Sequence, residues 1–187
     1  ALFCGLSTLV SAAEEGKTLY ETQYQGLAMG TLITARLISP DAKAAQKLEE
    51  LVSERVDDYE TLFTVHREGP LYEVNKRSGE WVEVDCRITE LTEKAKAIAE
   101  ASDRAFEPTI GTLVNVWKIG FGGDQVPARR DIDAALKKVD YTKIETQRED
   151  NVCRMRIGKG QSIDLGAIAK GWIGTALTQD LEAAGAT

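Results

Sequence analysis

The chain has 187 residues, of which 43% are apolar, enough for one sizeable core but not comfortably for two independent domains. Its 30 acidic and 23 basic residues give a formal charge of -7, which disfavours a nucleic-acid partner because binding phosphates requires clustered Lys and Arg. Low-complexity tracts, heptads and internal repeats are absent from the sequence, which excludes coiled-coil, collagen-like and disordered proteins.

Residues 1–13, ALFCGLSTLVSAA, carry no charge, and an acidic, polar stretch begins at Glu14. An apolar run this short cannot span a bilayer. Its small final residues are typical of the end of a secretory signal peptide, so we expect an exported protein whose mature domain covers residues 14–187. The alternative is a buried N-terminal strand. Cys4 could instead mark a lipid-anchored N-terminus, although the bulky Phe3 before it disfavours this reading.

Removal of the leader would leave two thiols, Cys86 and Cys153. In an oxidising compartment the two could form a disulfide. The simpler interpretation, which we favour at this point, is two separate small core residues.

The first part of the chain predicts a hairpin followed by a long helix. Residues 24–38 contain β-branched and apolar side chains around a sharp bend at 29–31, which indicates two strand segments. Residues 39–41, Ser-Pro-Asp, supply a cap and a proline for the first turn of a helix that ends before Gly69. Its core face is predicted from the apolar residues spaced by three and four: Leu48, Leu51, Val52, Val56, Tyr59 and Phe63.

The middle of the chain predicts a short strand and a second amphipathic helix. Residues 81–84 indicate the strand, and the helix begins near Thr89 and ends at 102–103. Its buried face is predicted to contain Leu91, Ala95, Ile98 and Ala99.

Residues 103–127 are rich in large apolar side chains and hold four glycines, but they show neither helical nor strand periodicity. We expect this segment to pack irregularly. A third, short helix is predicted over 130–139 from the spacing of Ile132, Leu136 and Val139.

The last part of the chain predicts a hairpin and a final helix. A charged turn at 148–151 separates strands at 143–147 and 152–157, and residues 162–165 resemble a strand end. The apolar face of the helix that follows contains Ala169, Trp172, Ile173, Ala176, Leu177 and Leu181. Helices interleaved with hairpin strands indicate an α+β fold, with mixed or antiparallel strands and packed helices.

The best local candidate for a binding site is DLGAIAKG, residues 164–171, at the start of the final helix. The first-turn amides of a helix lack intrahelical acceptors, and the small Gly166 and Ala167 would let a phosphate oxygen or a metal-bound group approach them. Asp164 and Lys170 add opposite charges nearby. Ordinary packing of a strand on a helix would produce the same pattern.

A second candidate is AFEPTIGTLVNVW, residues 105–117. Thr109 and Thr112 offer hydroxyls, and Phe106 with Trp117 offers flat apolar faces of the kind that hold a planar ring. A buried loop would look much the same. A third candidate, Met-Gly-Thr at 29–31, combines a flexible thioether with a glycine that permits close backbone approach.

Common enzyme motifs are missing from the sequence. Its only histidine, His66, lies on a predicted loop after the first helix, where a surface role is the ordinary interpretation. The patterns H-E-x-x-H, C-x-x-C and G-x-S-x-G do not occur, which removes support for zinc hydrolases, thioredoxin-like proteins and serine hydrolases.

Five segments in order resemble the ApbE family of FAD:protein FMN transferases: MGT at 29–31, LFT at 62–64, LYEVN at 71–75, AFEPTIGTLVNVW at 105–117 and DLGAIAKGW at 164–172. The resemblance runs from about Gln25 to the last residue and corresponds to roughly the first half or more of a complete family member. It implies an ApbE-like α+β flavin transferase fold, related to the T-fold and truncated at the C-terminus.

Members of that family are exported, Mg-dependent enzymes that cleave the FAD pyrophosphate. They attach FMN to a Thr or Ser hydroxyl of a target flavoprotein, typically a subunit of a membrane respiratory complex, and release AMP. The resemblance therefore implies FAD as substrate, Mg²⁺, such a target protein, and a location in the bacterial periplasm or at the periplasmic face of the inner membrane. The alternatives are an FAD pyrophosphatase, which yields FMN and AMP, and a non-catalytic exported FAD-binding protein.

The resemblance also assigns roles to individual residues. Met29 is expected at the flavin nucleotide, and Ala105, Phe106 and Glu107 along the FAD-binding loop. Asp164 is expected at the same substrate, Lys170 near its pyrophosphate, and Ala167 as a metal ligand through its backbone oxygen. The residue that activates the acceptor hydroxyl is not identified.

The sequence departs from the family pattern at several positions. Glu107 stands where the family usually has Asp, Val65 stands where a Tyr is frequent, and residues 69–70 replace a segment that commonly begins with Ser. The remaining carboxylate and hydroxyl metal ligands of the family are expected in a later segment, which has no counterpart before Thr187.

Overall fold

The structure, a computed structural model, describes residues 8–10, 19–119 and 125–186. Most of the predicted leader, residues 1–13, and the candidate lipid-anchor residue Cys4 therefore lie outside the described residues. Among the helices that are described, none combines the length and the apolar character needed to cross a membrane.

The contacts divide the chain into two compact units. Ala1–Glu60 and Gly171–Thr187 form the first unit, and Thr61–Lys170 form the second. The expectation that residues 14–187 make up one domain stays a prediction.

The first unit contains an antiparallel sheet with the strand order β1-β2-β3. The strands are β1 (Thr8–Val10), β2 (Leu19–Ala28) and β3 (Thr31–Ser39), and the predicted hairpin is confirmed. The two turn residues, Met29 and Gly30, have φ angles of 52° and 68°. Positive φ at both positions matches the twist of the paired strands, which explains the glycine in the turn.

Helix α1 (Ala42–Phe63) carries the predicted apolar stripe. Five of its six predicted core residues are buried, and Leu51 is partly buried. Asp41 caps the helix, because its Oδ1 accepts a hydrogen bond of 2.8 Å from the Ala44 amide. Pro40 therefore lies before the cap and not in the first turn.

The last helix, α6 (Gly166–Ala183), contributes its later turns to the first unit. Trp172 and Tyr59 make an edge-to-face contact with ring centroids 5.7 Å apart. The core of the first unit unites the sheet, α1 and α6 through Tyr24, Ala28, Leu37, Leu48, Val52, Val56, Leu177 and Leu181.

The second unit contains another antiparallel sheet, with the order β4-β6-β5. Its strands are β4 (Val82–Val84), β5 (Glu145–Glu149) and β6 (Val152–Arg156), which confirms the predicted short strand and the predicted hairpin. A 3-10 turn, Tyr141–Lys143, precedes β5.

Helix α3 (Cys86–Ala101) begins three residues before the predicted start at Thr89. The reason is Asp85, whose side chain caps the helix. Ile98 was predicted to be buried but is 42% exposed. The buried face of α3 starts at Ile88 and follows the helical spacing of three and four residues, which leaves residue 98 at the edge of that face.

Two short helices are not predicted by the sequence pattern. Helix α2 (Pro70–Lys76) begins with a proline in its first turn, and α4 (Gly111–Trp117) lies inside the segment expected to be irregular. Seven residues make only two turns, too few for a period of 3.6 to be recognised. Residues 120–124 of the same segment lie outside the described residues.

Helix α5 (Arg129–Leu136) is shorter than predicted. Val139 lies beyond its end, and Leu136 is 47% exposed. Both positions line a cavity, described below.

The two cysteines are joined, contrary to the interpretation we favoured. Cys86 and Cys153 form a disulfide, with their Cα atoms 5.1 Å apart. Cys153 pairs with Val84 across the β4-β6 ladder, and Cys86 follows Val84 by two residues. Sheet register therefore brings the two thiols together.

Candidate functional site

The chain segment that enters α6 is extended but is not a regular strand. Only Ser162 forms a bridge, with Ile110, so the predicted strand end at 162–165 is reduced to one pair. A side-chain amide replaces the missing strand partner. Asn75 Oδ1 accepts a hydrogen bond of 2.7 Å from the Ile163 amide, and Asn75 Nδ2 donates one of 2.9 Å to the Ile163 oxygen.

The same segment is also held by α4 and the loop before it. Thr112 Oγ1 accepts a hydrogen bond of 3.0 Å from the Ser162 amide, and the Pro108 oxygen accepts one of 2.8 Å from the Asp164 amide. Gly111 permits this close approach, because a Cβ atom there would lie 2.7 Å from the Ser162 oxygen. The position of the start of α6 is therefore determined by both predicted motif segments.

Asp164 organises the first turn of α6. Its Oδ1 accepts a hydrogen bond of 2.8 Å from the Gly166 amide, while the amides of Ile168 and Ala169 donate to the Leu165 oxygen. Within the described ranges, the Ala167 amide has no acceptor. One helix-start donor is therefore available to a ligand.

A cavity of about 510 Å³ lies beside this first turn, and we call it the α6 cavity. Its size falls in the range of small-molecule binding sites, roughly 300–1,000 Å³. The structure brings five predicted site residues together around it: Ala105, Phe106, Glu107, Asp164 and Ala167. The rest of its lining is mostly apolar and comprises Arg104, Ile110, Leu113, Leu136, Val139 and Gly166.

A second cavity of about 450 Å³, the α4 cavity, lies between α2, α4 and the segment before α6. Its lining is largely polar and includes His66, Asn75, Asn115, Gln161 and Ser162. Asp164 borders both cavities. His66 is exposed, as its predicted loop position implies, and it faces this cavity.

The Glu107 carboxylate forms hydrogen bonds that hold its own loop in shape. Its side chain is only 8% exposed. Oε1 accepts hydrogen bonds from the amide and the hydroxyl of Thr109, at 3.1 and 2.8 Å, and Oε2 accepts from the Tyr141 amide at 3.2 Å and from Arg104 Nη2 at 3.3 Å. The carboxylate therefore fastens the loop to the turn at Tyr141, and its predicted contact with FAD stays a prediction.

The hydroxyls proposed as ligand-binding groups are used within the fold. Thr109 is fully buried, and its Oγ1 also accepts a hydrogen bond of 2.8 Å from the Asp140 amide. Thr112 Oγ1 is occupied by Ser162, as described above. Both threonines are structural because each one satisfies a buried backbone amide on a neighbouring segment.

The aromatic pair expected to hold one planar ring does not converge on one cavity. Phe106 lines the α6 cavity, whereas Trp117 is 37% exposed and lines neither of the two cavities described here. Asn115 lines the α4 cavity instead.

Asp140 adds negative charge next to the loop that carries Arg104. A hydrogen bond from the Thr142 side chain lowers the pKa of Asp140, and the positive charges of Lys143 and Arg104 act in the same direction, while partial burial opposes them. Asp140 is therefore ionised at neutral pH.

The two remaining predicted residues lie outside both cavities. Met29 is in the first unit, where it is partly buried against the core and its amide donates a hydrogen bond of 2.9 Å to Glu60 Oε1. Lys170 is exposed on α6. Their expected roles at the flavin nucleotide and the pyrophosphate stay predictions.

The donor set at the α6 cavity suits a hard cation. The described residues contain no group of three His, Cys, Asp or Glu side chains that could hold a metal. The cavity is lined by Asp164, which carries a carboxylate, and by Ala167, whose backbone oxygen is the predicted metal ligand. Mg²⁺ is commonly held by one or two protein oxygens together with substrate phosphates, so these residues fit part of such a site.

The sequence patterns missed two residues of this region. Asn75 lay within a resemblance motif but had no role, and Arg104 precedes AFEP without any signal of its own. Their partners lie far away along the chain, at Ile163 for Asn75 and at Val139 for Arg104. Only their proximity to the motifs could have drawn attention to them.

Known proteins resemble this chain in sequence. The model of the ApbE family matches residues 29–187. The chain is 35% identical over 153 residues to the FAD:protein FMN transferase of Klebsiella pneumoniae, a match that covers 80% of this chain and 46% of that protein. It is 32% identical over 165 residues to the protein of the same name from Treponema pallidum, covering 84% and 45%. The chain thus spans about half the length of these curated relatives.

Solved structures share its architecture. The ApbE protein of Thermotoga maritima superimposes with a TM-score of 0.75 at 30% identity, covering 88% of this chain and 53% of that one. The apo flavinyl transferase ApbE of Pseudomonas stutzeri gives a TM-score of 0.76 at 22% identity, covering 89% and 56%, which supports the fold alone.

Proposed function

The chain belongs to the ApbE family, and from that membership we propose that the full-length protein is an Mg-dependent FAD:protein FMN transferase. The observation that carries the proposal is the α6 cavity, where Ala105, Phe106, Glu107, Asp164 and Ala167 come together from two separate motifs. Its substrates are FAD and a target flavoprotein that offers a Thr or Ser hydroxyl. We take this target to be a subunit of a membrane redox complex.

In the proposed reaction the acceptor oxygen attacks the phosphorus next to the FMN moiety. A new phosphoester bond forms between this phosphorus and the acceptor oxygen. The bond from this phosphorus to the oxygen that bridges the two phosphates breaks, and AMP leaves with the bridging oxygen. The hydroxyl proton is lost to solvent or to a base outside the residues named here. Atoms and charge balance without a redox partner.

The residues of this chain contribute positioning and electrostatic stabilisation, which is most of what phosphoryl transfer requires from a protein. Asp164 holds the first turn of α6 in place by accepting from the Gly166 amide, and Ala167 follows on the cavity lining. The wall formed by Phe106 and its apolar neighbours excludes water from the apolar part of the ligand. Mg²⁺, held by the Ala167 carbonyl and phosphate oxygens, would neutralise charge on the transferred group.

The test is to incubate the full-length protein with FAD, Mg²⁺ and an acceptor domain, and to measure the acceptor mass. An increase equal to one FMN is expected. Asp164→Ala should lower the rate by at least about tenfold, since it removes the cap and a carboxylate of the cavity. Glu182→Ala, which removes an exposed carboxylate farther along α6, is the matched control and should leave the rate unchanged.

Two other outcomes would contradict the transferase assignment. FMN and AMP formed from FAD at the same rate with and without acceptor, and no adduct, would assign hydrolysis with water as the nucleophile. FAD binding that survives chelation of divalent cations and yields no AMP would assign a non-catalytic flavin-binding protein.

We also propose that the protein is exported to the bacterial periplasm. The disulfide between Cys86 and Cys153 supports this, because such bonds form and persist in oxidising compartments. The uncharged run at residues 1–13 is consistent with a leader. Fractionation of cells that express the full-length protein, followed by detection in the periplasmic or membrane fraction, tests the location.

A further inference from the structure

The loop that lines the α6 cavity begins with two residues in a strained backbone conformation. Asp103 and Arg104 have φ angles of 50° and 65°, in the left-handed region where a side chain with a Cβ atom is disfavoured. They follow the end of α3, and the Arg104 amide donates a hydrogen bond of 2.8 Å to the Ala99 oxygen. Glycine is the usual residue at such a helix end. The backbone at position 104 therefore favours glycine, and the reason for an arginine there lies in its side chain.

The Arg104 side chain is anchored through one of its terminal nitrogens. Its Nη2 donates hydrogen bonds to the Val139 oxygen at 2.9 Å and to Glu107 Oε2 at 3.3 Å. The guanidinium carbon lies 6.0 Å from the centroid of the Tyr141 ring, a cation–π contact. These contacts come from two segments, the loop of Glu107 and residues 139–141, and they hold the cation in position.

The guanidinium has further, unused donors. Arginine carries five N–H groups, and those on Nε and Nη1 have no acceptor among the described residues. The side chain is 52% exposed and lines the α6 cavity. A positioned cation whose Nη1 keeps free N–H groups is well suited to a phosphate oxygen.

The carboxylates near Arg104 do not use its Nε and Nη1 donors. Glu107 accepts from Arg104 Nη2 alone, and its other hydrogen bonds come from the Thr109 amide, the Thr109 hydroxyl and the Tyr141 amide. Asp140 interacts with Arg104 through its charge, and Asp164 Oδ1 accepts from Gly166. Ala167, whose amide has no acceptor within the described ranges, also lines the cavity. Most of the remaining lining is apolar and comprises Phe106, Ile110, Leu113, Leu136 and Val139.

We infer that Arg104 is a binding residue of the α6 cavity, and that the free Nη1 group of its guanidinium donates hydrogen bonds to a phosphate oxygen of the dinucleotide. The inference rests on the proposed function for the identity of the ligand. FAD carries its negative charge on the two phosphates, so a ligand that keeps the flavin but lacks phosphate should not depend on Arg104.

The experiment compares the affinities of FAD and riboflavin for the full-length protein and its variants, measured by quenching of flavin fluorescence. Arg104→Gly retains the backbone conformation, because glycine adopts positive φ without strain. It should weaken FAD binding about 10- to 100-fold, as expected for loss of a charged hydrogen bond, and change riboflavin binding by less than about twofold. Arg104→Gln keeps a polar side chain with N–H donors but removes the charge, and it should weaken FAD binding in the same direction.

Asp103→Gly is the matched control. It relieves the same kind of backbone strain one residue earlier, but Asp103 does not line the α6 cavity. This variant should bind FAD and riboflavin like the unmodified protein. A thermal unfolding curve recorded for each variant verifies that the bound flavin is measured on folded protein.

The possible results separate the two proposals. FAD affinity that is unchanged in both Arg104 variants would overturn the assignment of Arg104 while leaving the proposed function intact. An equal loss for FAD and riboflavin would also overturn it, because the effect would then lie in cavity shape. An unmodified protein that binds no FAD would overturn both, whereas a selective loss of FAD binding without any FMN transfer would support Arg104 and contradict the transferase.

Discussion

At the scale of single residues, the site depends on side chains that satisfy backbone groups on distant segments. Glu107 connects its own loop to Tyr141, and Asn75 pairs with both backbone groups of Ile163. Each contact takes the place of a strand or helix hydrogen bond that these segments lack. An unpaired backbone group in this buried region would cost about 1–3 kcal/mol, so the loops depend on these side chains for a defined shape.

A substitution at Glu107 tests this view. Both of its carboxylate oxygens accept from N–H or O–H donors, so in Glu107→Gln an amide NH₂ must face another donor in either orientation. The free energy of unfolding should fall by about 1–3 kcal/mol, measured by urea denaturation. Glu83→Gln, at an exposed position of β4, is the control and should unfold like the unmodified protein. Equal stability of the two variants would mean that the Glu107 contacts are weak in solution.

At the scale of secondary-structure elements, capping side chains set the starts of α1 and α3 more than apolar spacing does. Helix α3 begins at Cys86 because Asp85 Oδ1 accepts hydrogen bonds from the Arg87 amide at 2.9 Å and from Arg87 Nε at 3.0 Å, while Oδ2 accepts from Nη2 at 2.8 Å. Apolar spacing alone predicted a later start at Thr89. Capping explains this difference.

The Asp85 cap should make stability depend on pH. The hydrogen bond from the Arg87 side chain is the largest influence and lowers the pKa of Asp85, with the Arg87 amide and charge acting in the same direction and burial opposing them. A lowered pKa in the folded state stabilises the protein above the ordinary pKa, and this stability is lost as pH falls through the folded value. Urea unfolding between about pH 6 and pH 2 should therefore show a steeper loss for the unmodified protein than for Asp85→Asn, which keeps a cap but does not titrate.

A second variant identifies the cause of that pH dependence. Arg87→Gln removes the side-chain donor that lowers the pKa of Asp85. It should therefore reduce the loss of stability at acid pH in the same way as Asp85→Asn. Parallel curves for all three proteins would show that the cap does not contribute to the pH dependence.

At the scale of the whole molecule, the two compact units carry different features. The second unit contains both described cavities and the disulfide, and the first contains the hairpin turn with Met29. Within the second unit the disulfide joins the start of α3 to the central strand β6. It is therefore placed to stabilise the unit that carries the α6 cavity.

The disulfide should account for a large part of the stability of this unit. Cys86 and Cys153 are 67 residues apart in sequence, a loop length for which chain-entropy estimates give about 4 kcal/mol. The free energy of unfolding should decrease by about that amount when both residues are replaced by Ala. Reduction of the unmodified protein keeps both side chains in place and should lower its stability comparably, whereas a reductant should not affect the double variant. Unchanged stability under reducing conditions would contradict a structural role for the bond.

Much of the fold was predictable because its signals are local. The 29–31 turn, the apolar stripe of α1 and the charged turn between β5 and β6 each depend on residues within a few positions of one another, and all three predictions are confirmed. The α+β class and the resemblance to the ApbE family are confirmed as well, since the ordered motifs are properties of the sequence itself. The seven-residue helices α2 and α4 escaped prediction because two turns carry too little periodicity.

The sequence by itself determined the hairpins, the long helices and the two motif segments that supply the α6 cavity. Only the tertiary structure decided which segments meet: Asn75 with Ile163, Arg104 with Val139, and Cys86 with Cys153. The physical reason is that these contacts join residues 35 to 88 positions apart, where neither helical nor strand periodicity relates one partner to the other. For the same reason the sequence did not show that two threonine hydroxyls form hydrogen bonds within the fold. It also did not indicate Arg104 as a binding residue, because its neighbours are known only from the structure.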